Sequence, residues 1–308
     1  MEKSFIEFED LERRGIADKS GCIRTDNPQV QFVRGYVQDV DIYSIENIPY
    51  YVKKWRKEQS VQSIASAEMY ANLGVATPPV YVLKTEKKLT NSSNLATANQ
   101  DVTSATGLVC KLGKEVLQNS GLFKRCFGKF KWEMLYNSDL RQQLLQIMTP
   151  ECLEEVLICC TLAEIRTDCD GHILNYFFVK SPEAERWEHY IPIDLEMARI
   201  QCHEKTHTKD GFSNFIYINY ASALPYSFMQ DNLPYITRVR EVGMVIDDGV
   251  LSPKVVNVIK QALQYDFPKL IYKTASRVGE KKIAPKQRDT FERLWELNRK
   301  ELGGIIGL

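Results

Sequence analysis

Short Val, Ile, Tyr and Phe runs broken by Pro, Gly and Asn fill the first part of the chain, as in QFVRGYV (31–37) and IPYYVKKW (48–55). That pattern predicts strands, with an antiparallel hairpin between these two. Residues 59–73 then carry Val61, Ile64, Ala65, Tyr70 and Leu73 at helical spacing and end at Gly74, which predicts one helix with a glycine stop. Two prolines follow, and PVYVLK reads as the next strand, giving an order of strand, helix, strand. Residues 85–106 are rich in Ser, Thr and Asn and lack an apolar period, so they read as a surface loop before the strand TGLVCKL.

Beyond that strand the period changes from two to about 3.6. DLRQQLLQIM (139–148) and ECLEEVLICCTLAEIR (151–166) read as helices, the second opened by Thr149 as N-cap with Pro150 in the first helical position. Two more helices are predicted, at 253–265 behind Ser252 and at 286–302 before Gly303 and Gly304. The shift near residue 110 divides the chain into a sheet-rich part, 1–108, and a mostly helical part, 109–308, joined through Leu108–Gly113. A cleft between two such parts is a usual place for a ligand.

Composition narrows the function classes. The 308 residues are 44% hydrophobic, 26% charged and 10% aromatic, the profile of a folded globular chain. Lys plus Arg (40) balances Asp plus Glu (40), so no global field draws the protein to nucleic acid or to an anionic membrane, and no partner of those kinds is expected. No apolar run is long enough to span a membrane, and the charged start MEKSFIEFEDLERR has no signal-peptide core, so stable membrane insertion is not expected. Eight scattered cysteines without a CxxC pair read as reduced core thiols. The expectation is a cytosolic protein, including the case of an effector acting in a host cytosol.

The chemistry is concentrated after the helix at 151–166. The polar loop Asp170-Gly-His172-Ile-Leu-Asn175 feeds the apolar run YFFV, and a second run, YIPI, ends in Asp194, so the pattern predicts a hairpin with acids at one rim. Phosphoryl transfer needs a carboxylate to orient the attacking hydroxyl, and an amide oxygen with a second carboxylate to hold magnesium. Asp170, Asn175 and Asp194 supply that set. The first two stand in the D-x-x-x-x-N relation of a kinase catalytic loop, with Asp194 at the end of the following strand.

These residues resemble the atypical kinases related to the phosphatidylinositol 3- and 4-kinases and to the HipA-type toxin kinases, whose loop reads D-x-H-x-x-N. Ile193-Asp194 is similar to their following I-D pair, although Leu195-Glu196 stands where a D-F-G-like triplet is common. The likeness implies an α+β, bilobal protein-kinase-like fold with a sheet-rich small nucleotide-binding lobe and a mostly helical catalytic lobe. It also implies ATP and Mg2+ as cofactors. Asp170 would be catalytic with His172 in support, and Asn175 and Asp194 would hold metal. In the first lobe, Y-V-K followed by a helix ending L-G-V-x-x-P implies a nucleotide-binding lysine, Lys53 or its rival Lys54. Glu68 and Glu58 are the carboxylates available to pair with it, and Lys111 is a further nucleotide-binding candidate. A glycine-rich phosphate loop is missing, Arg14–Gly21 being the best substitute.

Other chemistries fit less well. Cys202, His203 and His207 with Cys169 and His172 are metal-ligand types, but the paired spacing of a zinc site is absent. Ser-His-Asp and papain-like signatures are absent too. The expectation is a protein serine/threonine kinase with a protein substrate and an activator where one is needed, the alternatives being a lipid or inositol-phosphate kinase, a pseudokinase scaffold, or an adenylyl-transferring relative.

Overall fold

The computed structural model describes residues 8–18, 22–37, 40–54, 57–84, 95–103, 107–126, 138–165, 176–193, 195, 253–278, 292, 295 and 296. They form a mixed α+β molecule built on two sheets.

A short helix α1 (Phe8–Arg13) leads to β1 (Cys22–Arg24), followed by β2 (Val30–Val37), β3 (Val40–Ile45) and β4 (Ile48–Lys53). Helix α2 (Lys57–Asn72) then connects to β5 (Val80–Lys84) and β6 (Leu95–Gln100). The strand order is β1-β5-β6-β4-β3-β2, with β1 parallel to β5 and every other neighbour antiparallel.

The strands expected at 31–37 and 48–55 are present, but they do not pair with each other. β3 runs between them, because Glu46 and Asn47 adopt positive φ (51° and 67°) and turn the chain back within two residues. That is the tight-turn geometry matching the right-handed twist of a hairpin. The expected surface loop at 85–106 is corrected as well: Leu95–Gln100 is β6, hydrogen-bonded between β4 and β5, and residues 96–100 are buried. Tertiary placement overrides composition here.

Helix α2 matches its prediction. It stops at Gly74, whose φ of +73° a side chain would strain, and Val75 N–H donates to the Tyr70 carbonyl at 2.9 Å. The helix packs against β5 and β6 and also against the later helix at Phe267–Arg277. Its buried polar residues are three small serines, Ser60, Ser63 and Ser66, and the larger Gln62.

The second sheet, β7 (Val109–Leu112), β8 (Phe177–Lys180) and β9 (His189–Ile191), is antiparallel in the order β7-β8-β9. Between β7 and β8 come α3 (Gly113–Asn119), α4 (Phe123–Cys126), α5 (Ser138–Ile147) and α6 (Pro150–Ile165). Thr149 caps α6 as predicted, its Oγ1 accepting from the Cys152 amide at 3.1 Å. Helix α7 (Pro253–Gln264) also matches its prediction, and α8 (Phe267–Arg277) follows it unpredicted. Asp266 is the reason for the second start: its Oδ1 accepts from the Lys269 amide at 3.0 Å, with Pro268 in the first turn. The helix expected at 286–302 lies outside the described residues apart from Glu292, Trp295 and Glu296.

One apolar core runs from α2 through α6, α7 and α8 to Phe178 and Tyr190 of the second sheet. A separate cluster, including Tyr50, Val52, Tyr81, Leu83, Ala96 and Ala98, fills the opposite face of the first sheet. No helix among the described residues is long and apolar enough to cross a membrane.

Candidate active site

The hairpin expected from the motif is present. β8 and β9 pair antiparallel, and Phe177 opposite Ile191 brings the start of β8 and the end of β9 to one end of the sheet. One face packs into the main core: Phe178 meets Tyr190 at 4.8 Å between ring centroids, and Tyr176 meets Tyr190 at 5.6 Å. Glu155 of α6 fixes the edge of the hairpin, accepting from the Tyr190 amide at 2.8 Å and meeting His189 Nδ1 at 3.3 Å. This hydrogen bond from Glu155 raises the His189 pKa above its ordinary value, outweighing burial.

The other face of the hairpin turns away from the helices. Val179 and Ile191 form a small apolar cluster there with Val102, flanked by Cys110, Phe177 and Ile193. Val102 belongs to the segment that leaves β6, so this cluster is where the two sheets approach each other. Burial pushes the Tyr51 hydroxyl of β4 to a higher pKa, reinforced first by Asp101 and also by Tyr36 and Cys110, while Arg34 opposes it. Tyr51 therefore has neighbours on both sheets. Burial likewise pushes the Cys110 thiol up to about 12, against a hydrogen bond from Thr103 that lowers it. A second tie joins the loop after α2 to the end of β9, Thr77 Oγ1 donating to the Pro192 carbonyl at 3.3 Å.

Lys53 lies on the same face of the first sheet as Tyr51. It pairs with Val40 and Thr97, half-buried, while Tyr50 and Val52 point into the opposite core. Its rival Lys54 forms an ion pair with Asp41 at 2.8 Å. Glu68 of α2 meets Arg277 of α8 at 3.4 Å, and Lys111 of β7 meets Glu115 at 2.9 Å on an exposed helical turn. Asp170, His172, Asn175 and Asp194 lie outside the described residues, as do Cys169, Cys202, His203 and His207. Among the described residues no group of three or more His, Cys, Asp or Glu side chains could hold a metal ion.

The segment 14–21, the best substitute for a phosphate loop, makes local contacts in its described part. Gly15 (φ +71°) closes α1, its N–H donating to the Glu12 carbonyl at 2.9 Å. Arg14 pairs with Glu46 at 2.5 Å, and Asp18 Oδ1 accepts from the Cys22 amide at 3.1 Å. This loop feeds β1, separated from Lys53 by β5 and β6. Val40, the first residue of β3, pairs with both Val37 and Lys53. Thr97 and Asn99 share the face of Lys53 and Tyr51, a placement the sequence did not show because their segment read as a loop.

No family model matches the chain, and no curated protein matches it. Among solved structures it is similar to the Helicobacter pylori proinflammatory kinase CtkA, with a TM-score of 0.48 and 11% identity over 93% of this chain and 97% of that one. It is also similar to a chain of the Shewanella oneidensis MR-1 complex of HipA, HipB and operator DNA, with a TM-score of 0.46 and 9% identity over 98% of this chain and 72% of that one. Both TM-scores lie below 0.5, too low for either likeness to assign a function to this chain.

Proposed function

We propose that the protein is an ATP-dependent phosphotransferase of the atypical kinase type that phosphorylates a serine or threonine hydroxyl of a protein. One observation carries the reading: the loop Asp170–Asn175 precedes β8 directly in sequence, Asp194 follows β9, and the pairing of Phe177 with Ile191 joins those two ends of the hairpin. The amide and carboxylate oxygens of Asn175 and Asp194 are the donor types that magnesium prefers. When bound, magnesium supplies neutralisation of charge on the transferring phosphoryl group. Asp170 orients the acceptor hydroxyl and takes its proton, and His172 supports the loop. Lys53, whose neighbour Lys54 is held by Asp41, binds nucleotide phosphate. On this reading residues 1–108 are the nucleotide-binding lobe and 109–308 the catalytic lobe.

A second reading, a scaffold with a dead kinase fold, is favoured by the engagement of Glu68 with Arg277 of α8. Intact-mass spectrometry after incubation with Mg-ATP and a serine- and threonine-containing peptide mixture separates the two. Transfer of one phosphoryl group by the wild type, abolished by Asp170→Ala, by Asp194→Ala and by EDTA, is the expected result. An adenylyl mass shift would change the reaction class, labelled phosphoinositide without labelled peptide would favour a lipid kinase, and absence of nucleotide binding would favour the scaffold.

A further inference from the structure

We propose that the edge of β2 left without a strand partner among the described residues is the docking site for an extended, acidic segment of a partner protein, which adds to the first sheet as a further strand. β2 ends the strand order, so among the described residues one side of its backbone has no strand partner. Residues 31–36 are exposed throughout, which leaves both faces of the strand open. Three large apolar side chains stand in this stretch, Phe32 59%, Val33 54% and Tyr36 56% exposed. A long exposed edge with apolar side chains is a template for another strand, and natural sheets normally suppress it.

The aromatic rings are already positioned on the two faces. Phe32 meets Tyr43 edge-on at 5.6 Å, on the side of the sheet that carries Tyr50. Tyr36 meets Tyr51 edge-on at 5.4 Å, on the side that carries Lys53. An added strand would therefore find one aromatic on each face, suiting the alternating side chains of an extended peptide.

Charge selects the occupant. Arg34 is the one charged residue of β2, and it has no ion pair among the described residues, Asp41 of the neighbouring strand being taken by Lys54 at 2.8 Å. Opposite charges on paired strands stabilise and like charges repel. A second copy of this chain is disfavoured, because antiparallel pairing of two β2 strands brings two Arg34 cations into one short stretch. The site thus takes an extended segment with an acidic residue near Arg34 and apolar residues around it. This inference stands without the phosphotransferase reading.

The test uses two labelled peptides of alternating valine and threonine, one with a central aspartate and one with a central lysine, read by fluorescence anisotropy. The wild type is expected to bind the aspartate peptide several-fold more tightly. Arg34→Glu is expected to reverse that order, and Phe32→Ser with Tyr36→Ser to weaken both peptides. All three positions are exposed, so the variants should keep the wild-type circular dichroism. No binding, or a preference unchanged by Arg34→Glu, would overturn the proposal. A dimer in sedimentation velocity that Phe32→Ser with Tyr36→Ser dissolves would assign the edge to a second copy instead and overturn it equally.

Discussion

Strands β6 and β2 lie in one sheet, yet the polar one is buried and the apolar one is exposed. LATANQ runs through the middle of the sheet with Ala96 and Ala98 at 0% exposure and Thr97 and Gln100 at 2%. VQFVRGYV runs along the edge, with residues 31–36 exposed and only Val30 reaching the core. The difference teaches that position in the sheet sets burial and that residue size answers to it. β6 has β4 and β5 on its flanks, α2 over one face and the Tyr50–Leu83 cluster over the other, so small side chains fit where larger ones would not. Among the described strands β2 has only β3.

The most severe way to break the contrast is a charge on the buried strand. Ala98 faces the Tyr50 and Leu83 cluster, and an unpaired carboxylate there carries a solvation penalty that nothing in that apolar cluster offsets. Ala98→Asp is expected to unfold the protein or destabilise it by more than about 4 kcal/mol. Urea denaturation checks this, and a near-normal midpoint would mean that β6 is not embedded as described.

A pair of substitutions on α2 separates size from polarity. Ser63 is 1% exposed, and its hydroxyl has no hydrogen-bond partner among the described residues. Ser63→Ala is expected to be neutral or slightly stabilising, since it removes an unsatisfied group. Ser63→Leu adds bulk to a close interface and is expected to cost about 1–3 kcal/mol. If the alanine variant were instead the damaging one, the hydroxyl would have a role beyond its small size. At the other end of the sheet, Phe32→Ser should change stability by only about 0.5 kcal/mol, as an exposed substitution does.

The same contrast explains how much of the molecule is legible in the sequence. Periodicity and caps revealed α2, α5, α6 and α7, because Gly74 and Thr149 mark helix ends within a few residues. The β8–β9 hairpin was legible for the same local reason, and with it the chain order of Asp170, Asn175 and Asp194. β6 was not legible, since its burial comes from β4 and β5, one of them more than forty residues earlier, and its alternation of Ala with Thr and Asn is too short and too weakly apolar to stand out among the surrounding Ser, Thr and Asn. α8 was missed because Asp266 restarts the helix two residues after α7 ends. Lys53 and Lys54 could not be told apart in the sequence because neighbouring strand residues face opposite ways and the register is set by β3 and β6.

The unpartnered hydroxyl of Ser63 and the unpartnered amide oxygen of Asn99 are buried among the described residues and do not titrate. Glu155 and His189 are the opposite case, a polar pair with defined partners at the edge of the second sheet. If the polar residues around β6 serve only through their size, that region should contribute no pH dependence, whereas the hairpin should. The folded-state pKa of His189 is raised, so its contribution is fully present below the unfolded value and is lost as pH rises through the higher folded value. With both partners partly exposed, the effect is the smallest of these, below about 1 kcal/mol. Urea midpoints at about pH 5.5 and about pH 8.5, on either side of the ordinary histidine range, should fall further with rising pH in the wild type than in His189→Gln. An equal fall in both would move the pH dependence elsewhere. A Ser63→Ala variant that also flattened it would bring the first sheet back into the account.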